Sequence, residues 1–211
     1  MKNIAPEIFK AYDIRGIIDK TLTVEAVRLI GQALGSEASD HGIAAIAVGR
    51  DGRLSGPALS AALADGIIQA GVDVIDIGCV PTPVSYFAAH ELGTSSCVSV
   101  TGSHNPPDYN GLKMVLAGQT LYGEMIQDLR RRIASADFSH GTAGRGTIRQ
   151  ADVRAAYLDR IVGDVKLARQ MKIVIDSGNG VAGAIAPELF RRLGCEVIEL
   201  FCEVDGHFPN H

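Results

Sequence analysis

Residues 97–107 read CVSVTGSHNPP, an apolar run that passes directly into a polar loop. The apolar run 97–100 predicts a buried strand, and the two prolines that end the quoted stretch exclude a helix there. Gly102 lets the backbone approach a ligand closely. The loop therefore presents Ser103 beside His104 at the end of a strand, a position from which loop residues often bind ligands or catalyse reactions.

Short apolar runs and segments of helical periodicity alternate on both sides of this stretch. Strands are predicted at residues 43–48, 72–77, 97–100, 112–116, 172–175 and 196–200. Helices are predicted over residues 23–34, between Ser55 and Gly71, from Thr82 onward, over 122–134, over 153–161 and through 189–193. The alternation predicts an α/β fold in which a mixed, mostly parallel sheet is sandwiched by helices, followed by an incomplete second α/β domain of the same type.

Three local signals set boundaries within this pattern. Gly35 is expected to end the first helix, because glycine is favoured just past a helix C-terminus. Ser55 is suited to cap the second helix with its hydroxyl. Asn110 and Gly111 are suited to a turn with positive φ before the strand at 112–116.

A change of composition marks a domain boundary. Residues 141–147 read GTAGRGT and combine three glycines with no apolar periodicity. We therefore expect a first domain over 1–147 and the N-terminal part of a second over 148–211. The second unit holds only about 60 residues, which is marginal for a unit that buries its own sheet. Since no helix is predicted after the last strand, we expect the chain to be a fragment.

Composition excludes several classes of partner. The 211 residues are 46% hydrophobic and 21% charged, with a formal net charge of −4. The densest basic run, residues 130–132, is not interleaved with aromatics and is predicted to be a solvated helix face, so no nucleic-acid partner is expected. The N-terminus lacks the apolar core of a signal peptide, and no apolar run approaches the roughly 20 residues that span a bilayer. We expect a cytoplasmic protein with no membrane partner.

The cysteines indicate a reducing compartment. Cys79, Cys97, Cys195 and Cys202 are scattered, with no Cys-x-x-Cys pair that would indicate a metal site. The first three lie in apolar, strand-like surroundings. Reduced, packed thiols are therefore predicted.

Five segments, in this order, resemble the α-D-phosphohexomutase family, and most closely its bacterial phosphomannomutase/phosphoglucomutase branch. They are residues 9–16 (FKAYDIRG), 48–56 (VGRDGRLSG), 80–83 (VPTP), 101–113 (TGSHNPPDYNGLK) and 176–180 (DSGNG). The resemblance implies part of a four-domain isomerase that moves a phosphoryl group between the 1- and 6-hydroxyls of a hexose. It also implies a phosphoserine, a hexose 1,6-bisphosphate that is both intermediate and activator, Mg²⁺ as cofactor, and sugar phosphates as partners.

The resemblance assigns catalytic roles residue by residue. Ser103 matches the phosphorylated serine, His104 its neighbour in the loop, and Lys113 the proposed general base of the family. Arg15 matches a residue that lines the active site. These cations suit phosphoryl transfer, which needs positive charge around the equatorial oxygens. Taken without the resemblance, Arg15 is equally well a surface salt-bridge partner and Lys113 a solvated strand residue.

Substrate and metal contacts follow from the same resemblance. Tyr12 and Asn105 match residues at the substrate site, and Ser103 would contact the metal through its phosphate. The Asp-Gly-Asp-Gly-Asp-Arg loop that binds Mg²⁺ in the family is absent from this chain. Asp205 stands alone where three carboxylates would be needed. We therefore expect the isolated chain to be inactive, and the preference among mannose, glucose and glucosamine phosphates stays open.

Alternative functions remain open at this point. Residues 178–183 read GNGVAG, which fits the Gly-x-Gly-x-x-Gly pattern of a dinucleotide site, and Glu199 lies near the expected distance for a ribose contact. This NAD(P)-binding hypothesis competes with a tight structural turn. A hydrolase is weaker, because Ser103 lacks the flanking glycines of a nucleophile elbow. A non-catalytic sugar-phosphate binding module is the remaining alternative.

Overall fold

The structure is a computed structural model that describes residues 4–140 and 144–210. Its strands are β1 (Ile14–Ile17), β2 (Ala45–Arg50), β3 (Asp73–Cys79), β4 (Cys97–Val100), β5 (Tyr109–Leu116), β6 (Gln119–Thr120), β7 (Ile148–Gln150), β8 (Lys172–Asp176) and β9 (Glu196–Leu200). Its helices are α1 (Val24–Asp40), α2 (Gly56–Gln69), α3 (Thr82–Glu91), α4 (Glu124–Ser135), α5 (Arg154–Asp164) and α6 (Ala186–Arg192). Residues 141–143 of the predicted boundary, and His211, lie outside the described residues.

The first seven strands form one sheet in the order β1-β5-β4-β2-β3-β7, with β6 paired to β5. Strand β5 runs antiparallel to its neighbours β1, β4 and β6, whereas β4, β2, β3 and β7 are parallel to one another. Only β5 is therefore reversed among the strands of this sheet in the described residues. The predicted mixed, mostly parallel sheet is confirmed.

Helices cover both faces of the sheet. Buried residues of α1, α2 and α4, such as Leu29, Ile67 and Ile126, form one core with the sheet. Residues of α3, such as Val84, pack on the opposite face around Cys97 and its neighbours. The expected helix–sheet–helix sandwich is thus present, and it leaves the loops at the carboxyl ends of the parallel strands open for a site.

Glycines bring α1 and α2 into close contact. A Cβ on Gly31 would lie 2.3 Å from the Leu63 carbonyl oxygen, and one on Gly66 would lie 2.0 Å from the Arg28 oxygen. The expectation that Gly35 ends α1 is wrong, because the helix continues to Asp40. A Cβ on Gly35 would lie 2.8 Å from a carbonyl oxygen of α2, so this glycine serves helix packing instead of helix termination.

Two further boundary signals act differently from the prediction. The Ser55 hydroxyl forms no capping hydrogen bond with α2 and instead accepts one from Asn110 Nδ2 at 2.9 Å. Asn110 and Gly111 form no turn: both lie within β5, where Gly111 pairs with Arg15 of β1. A Cβ on Gly111 would lie 2.3 Å from the Ile14 carbonyl oxygen, so its missing side chain lets β1 approach.

The basic run at residues 130–132 is only partly a solvated face. Arg131 is exposed and pairs with carboxylates of its own helix. Arg132 is half-buried, and its Nη2 atom lies 3.1 Å from Glu37 Oε2 and 2.6 Å from Asp40 Oδ2 of α1. This guanidinium therefore ties α4 to α1.

After β7 and α5 the chain forms a βαβ arrangement, in which β8 and β9 pair in parallel and α6 connects them. Strand β7 pairs with β3 and so extends the first sheet just past residue 147. The predicted boundary after residue 147 stays a prediction. All four cysteines are free thiols, and none of the helices in the described residues is long and apolar enough to cross a membrane.

Candidate active site

The Ser103 loop leaves the carboxyl end of β4 and folds back on itself. Asn105 donates to the Gly102 carbonyl oxygen twice, from its backbone N at 3.0 Å and from Nδ2 at 2.8 Å. Ser103 is exposed and has a φ of 53°, the left-handed region that residues with a Cβ seldom adopt. Its amide donates to Thr101 Oγ1 at 3.0 Å. The loop thus presents the serine hydroxyl to solvent on a constrained backbone.

Asp51, just beyond β2, holds the base of this loop. Its Oδ2 atom accepts hydrogen bonds from Thr101 Oγ1 at 2.8 Å and from Gly102 N at 3.0 Å. Its own amide donates to the Val100 carbonyl oxygen at 2.9 Å. Because β2 and β4 are parallel neighbours, their carboxyl ends meet at one edge, and Asp51 joins them there.

Arg53 lies beneath the loop and is 5% exposed. Nη1 donates to the carbonyl oxygens of Pro106 at 2.7 Å and Tyr109 at 3.0 Å. Nη2 donates to those of Asn105 at 2.6 Å and Ser103 at 3.2 Å. One guanidinium therefore donates hydrogen bonds to the backbone on both sides of the loop.

The sequence prediction assigned no role to Asp51 or Arg53. Both lie in the quoted segment 48–56, which follows a predicted strand. That position was a usable signal, because side chains that follow neighbouring parallel strands meet at the same edge of a sheet. The carbonyl oxygens that an arginine contacts, however, are not readable from its own surroundings in the sequence.

The structure brings Arg15, Asn105 and the Ser103 loop together. Arg15 Nη2 lies 2.6 Å from Asp13 Oδ2, and its Nη1 lies 3.5 Å from Asn105 Oδ1. Ser103 Oγ and His104 Nδ1 are 3.4 Å apart, a long contact between two exposed side chains. This geometry does not resemble a serine hydroxyl already activated by its base, and it adds nothing to the hydrolase alternative.

Lys113 and Tyr12 take no part in the hydrogen bonds that hold the loop. Lys113 is half-buried on β5, opposite Ser99, whose hydroxyl lies 3.2 Å from Thr82 Oγ1 at the start of α3. Tyr12 is 76% exposed and precedes β1. Within residues 4–140 and 144–210, neither side chain has a hydrogen bond or ion pair to the Ser103 loop. The Lys113 ammonium and the Tyr12 hydroxyl are therefore not bonded to the loop.

The residues present do not form a magnesium site on their own. In the part of the chain that the structure describes, no cluster of three or more His, Cys, Asp or Glu side chains is suited to hold a metal ion. Ser103 supplies at most one ligand, through a phosphate. The oxygen donors that Mg²⁺ requires are not assembled by these residues.

Residues of the protein itself pack against the Gly-x-Gly-x-x-Gly turn at 178–183. A Cβ on Gly183 would lie 2.0 Å from the Cys202 carbonyl oxygen, and Asn179 Nδ2 donates to the Glu203 carbonyl oxygen at 3.1 Å. The turn continues into a 3₁₀ helix, Val181–Ala184, and α6 begins only afterwards. A pyrophosphate needs the N-terminus of a helix directly after the glycines, so these contacts favour the structural turn.

Comparisons with known proteins agree with this fold. The family model described as phosphoglucomutase/phosphomannomutase, alpha/beta/alpha domain I, matches residues 6–140, and the model for alpha/beta/alpha domain II matches residues 155–211. A solved phosphoglucomutase/phosphomannomutase family protein from Burkholderia thailandensis superposes with a TM-score of 0.93 at 56% identity. It covers 99% of this chain and is itself covered over 47% of its length.

Curated relatives show the same partial coverage. A phosphomannomutase/phosphoglucomutase from Pseudomonas aeruginosa is 54% identical over 97% of this chain, which spans 43% of that relative. A phosphoglucomutase from Neisseria gonorrhoeae is 53% identical over 100% of the chain, which spans 46% of its length. The chain thus spans a little under half the length of the relatives it matches.

Proposed function

Because the chain belongs to the phosphoglucomutase/phosphomannomutase family, we propose that Ser103 carries the phosphoryl group of a phosphohexomutase. The full-length protein would interconvert hexose 1-phosphate and hexose 6-phosphate through a phosphoserine and a hexose 1,6-bisphosphate intermediate. The observation that carries this proposal is the Ser103 hydroxyl itself. It is exposed at the carboxyl edge of the sheet on a left-handed backbone that Asp51 and Arg53 brace.

The proposed step transfers the phosphoryl group from Ser103 to a hydroxyl of the bound hexose phosphate. Lys113 accepts the proton of the attacking hydroxyl as that oxygen bonds to phosphorus. The bond from phosphorus to Ser103 Oγ breaks, and Oγ regains a proton from His104, whose Nδ1 lies 3.4 Å away. Arg15 stabilises the negative charge on the equatorial oxygens of the transferred group. The absence of an ion-pair partner for Lys113 among the described residues supports its use as a base.

Substrate contacts belong to the same proposal. Tyr12 presents an exposed ring and hydroxyl and precedes β1, the strand that carries Arg15. Asn105 is less free, because its amide already donates to the Gly102 oxygen and lies against Arg15. Its contact with substrate stays a prediction, and its hydrogen bonds support a role in shaping the loop.

The family implies Mg²⁺, and Ser103 would contact it through its phosphate with the remaining ligands supplied from outside this chain. Activation by hexose 1,6-bisphosphate, sugar-phosphate partners and a cytoplasmic location stay predictions. The 211-residue chain by itself is expected to show no mutase turnover in a coupled assay, because its relatives are more than twice as long.

Phosphate mapping tests the proposal. The full-length protein is incubated with glucose 1,6-bisphosphate and its peptides are analysed by mass spectrometry. We expect one phosphate on Ser103, none in Ser103→Ala, and wild-type uptake in Ser135→Ala, which removes an exposed hydroxyl at the end of α4. Phosphate on another residue would refute the assignment. Sugar-phosphate binding without any phosphoserine would instead identify a non-catalytic binding module.

A further inference from the structure

Arg53 is a buried cation whose hydrogen bonds converge on the Ser103 loop. Its Nη1 and Nη2 atoms reach four carbonyl oxygens, those of Ser103, Asn105, Pro106 and Tyr109. A planar guanidinium is suited to this, since its donors point in fixed directions within one plane, whereas an ammonium acts as a point charge. The loop geometry therefore depends on the shape of this side chain as well as on its charge.

Nε of the guanidinium is buried and has no hydrogen-bond partner among the described residues, and its contacts are an ion pair and a ring. Nε lies 3.5 Å from Asp51 Oδ2, so the buried charge has a partner. The Phe208 ring lies over the guanidinium, with its centroid 5.6 Å from Cζ. A Cβ on Gly102 would lie 2.2 Å from Nε, which leaves glycine as the residue that fits at that position.

These contacts act on the backbone of the nucleophile. Ser103 has a φ of 53°, a conformation that is unfavourable for a residue with a Cβ and persists only where the surroundings impose it. Its carbonyl oxygen accepts from Arg53, and its amide donates to Thr101 Oγ1, which in turn donates to Asp51. Both ends of the residue are thus fixed by the same Arg53–Asp51 pair.

We propose that Arg53 is a positioning residue, which sets the direction of Ser103 Oγ by holding the loop carbonyls in the left-handed turn. The inference rests on the proposed function, because it concerns the same serine. Arg53 touches neither substrate nor the transferred group in this role. It acts through the backbone, and its loss misdirects the nucleophile while the charges that bind the sugar phosphate stay in place.

Two single variants of the full-length protein, Arg53→Lys and Gly102→Ala, test the inference, together with Arg53→Met alone and combined with Gly102→Ala. Arg53→Lys keeps the charge and removes the planar fork, and Gly102→Ala keeps Arg53 and forces it away. For both we expect kcat and the rate of Ser103 phosphorylation to fall about 10- to 100-fold while KM changes little, because a misplaced reacting group affects the transition state most. Hydrogen exchange in peptides covering 101–110 should rise. Gly163→Ala, with open space around its Cβ, is the control that leaves kcat, KM, the phosphorylation rate and the exchange of these peptides unchanged.

The combination separates positioning from a general loss of stability. In an Arg53→Met background the alanine at position 102 meets no guanidinium. The factor by which Gly102→Ala lowers kcat and the phosphorylation rate should therefore be at least threefold smaller there than in the wild type. Equal effects in both backgrounds would overturn the inference. So would wild-type phosphorylation and exchange in Arg53→Lys.

Failure of the proposed function has a different signature. A wild-type protein that takes up no phosphate would refute the phosphoserine, yet the exchange of the 101–110 peptides would still report whether Arg53 holds the loop. Faster exchange in Arg53→Lys supports the positioning role in either case, and unchanged exchange contradicts it.

Discussion

Cys97 shows how the core that supports the loop constrains a single side chain. It lies on β4, four positions before Thr101, with no exposed surface, and burial raises the pKa of its thiol to about 12. Only the thiolate reacts with alkylating agents. We expect native protein at pH 8 to incorporate iodoacetamide at Cys97 far more slowly than urea-unfolded protein, as measured by peptide mass mapping. Half-buried Cys202 is the internal comparison. Equal rates in native and unfolded protein would contradict the prediction.

The same thiol predicts a dependence of stability on pH. Its folded pKa, about 12, lies above the value of 9.0 for an exposed cysteine, which applies to the unfolded chain. Between these values the unfolded state releases a proton that the folded state retains, so the free energy of unfolding falls as pH rises from about 9 towards 12. Cys97→Ala should flatten this slope in urea titrations at alkaline pH. A slope that is unchanged in the variant would assign it to other groups.

At the scale of elements, the effect of replacing a helix glycine by alanine depends on whether that glycine lies at a helix–helix contact. Gly66→Ala places a Cβ 2.0 Å from the Arg28 carbonyl oxygen of α1 and is expected to destabilise the protein by about 1–3 kcal/mol, because backbone must move. Gly163→Ala, in α5, meets nothing within 4 Å and is expected to stabilise by about 0.5 kcal/mol through reduced chain entropy. Urea unfolding measures both, and equal effects would contradict the packing argument.

The length and the burial of an element decided whether it could be predicted from the sequence. Strands β4 and β9 match their predicted bounds, since apolar runs between turn signals mark them. Strand β7 was missed: its three residues are exposed and carry no alternation, and only pairing with β3 makes them a strand. The prediction that Gly35 ends α1 was wrong because the sequence does not distinguish a glycine that permits helix contact from one that ends a helix.

The candidate site was predictable only in part. The sequence singled out Ser103 and its neighbours as candidates, because they are contiguous and form a distinctive pattern. Arg53 was not, since its four hydrogen bonds reach carbonyl groups 50 to 56 positions away. Backbone acceptors carry no residue signature, so only the fold reveals that this arginine and the loop belong to one unit.

At the scale of the whole molecule, residues near the end of the described chain contact the segment that supports the Ser103 loop. A Cβ on Gly206 would lie 2.6 Å from the Gly52 carbonyl oxygen, and Phe208 covers the Arg53 guanidinium. These contacts join residues 204–208 to the segment 51–54, which in turn holds the loop. A displacement of residues 204–208 therefore has a continuous packed route to Ser103.

Gly206→Ala tests this coupling, because the added Cβ meets backbone that has to move. We expect faster hydrogen exchange in peptides covering 101–110, although the atoms nearest to the added Cβ belong to Gly52 and Leu54, and a smaller increase in peptides of β9. His207→Ala is the matched control: the neighbouring side chain is exposed, and only its backbone amide is engaged, with Asp205. Since the backbone displacement reaches the loop through Arg53, Gly206→Ala should accelerate the exchange of peptides 101–110 less in an Arg53→Met background than in the wild type. Faster exchange limited to residues 50–54 and 200–210 would show contact without coupling.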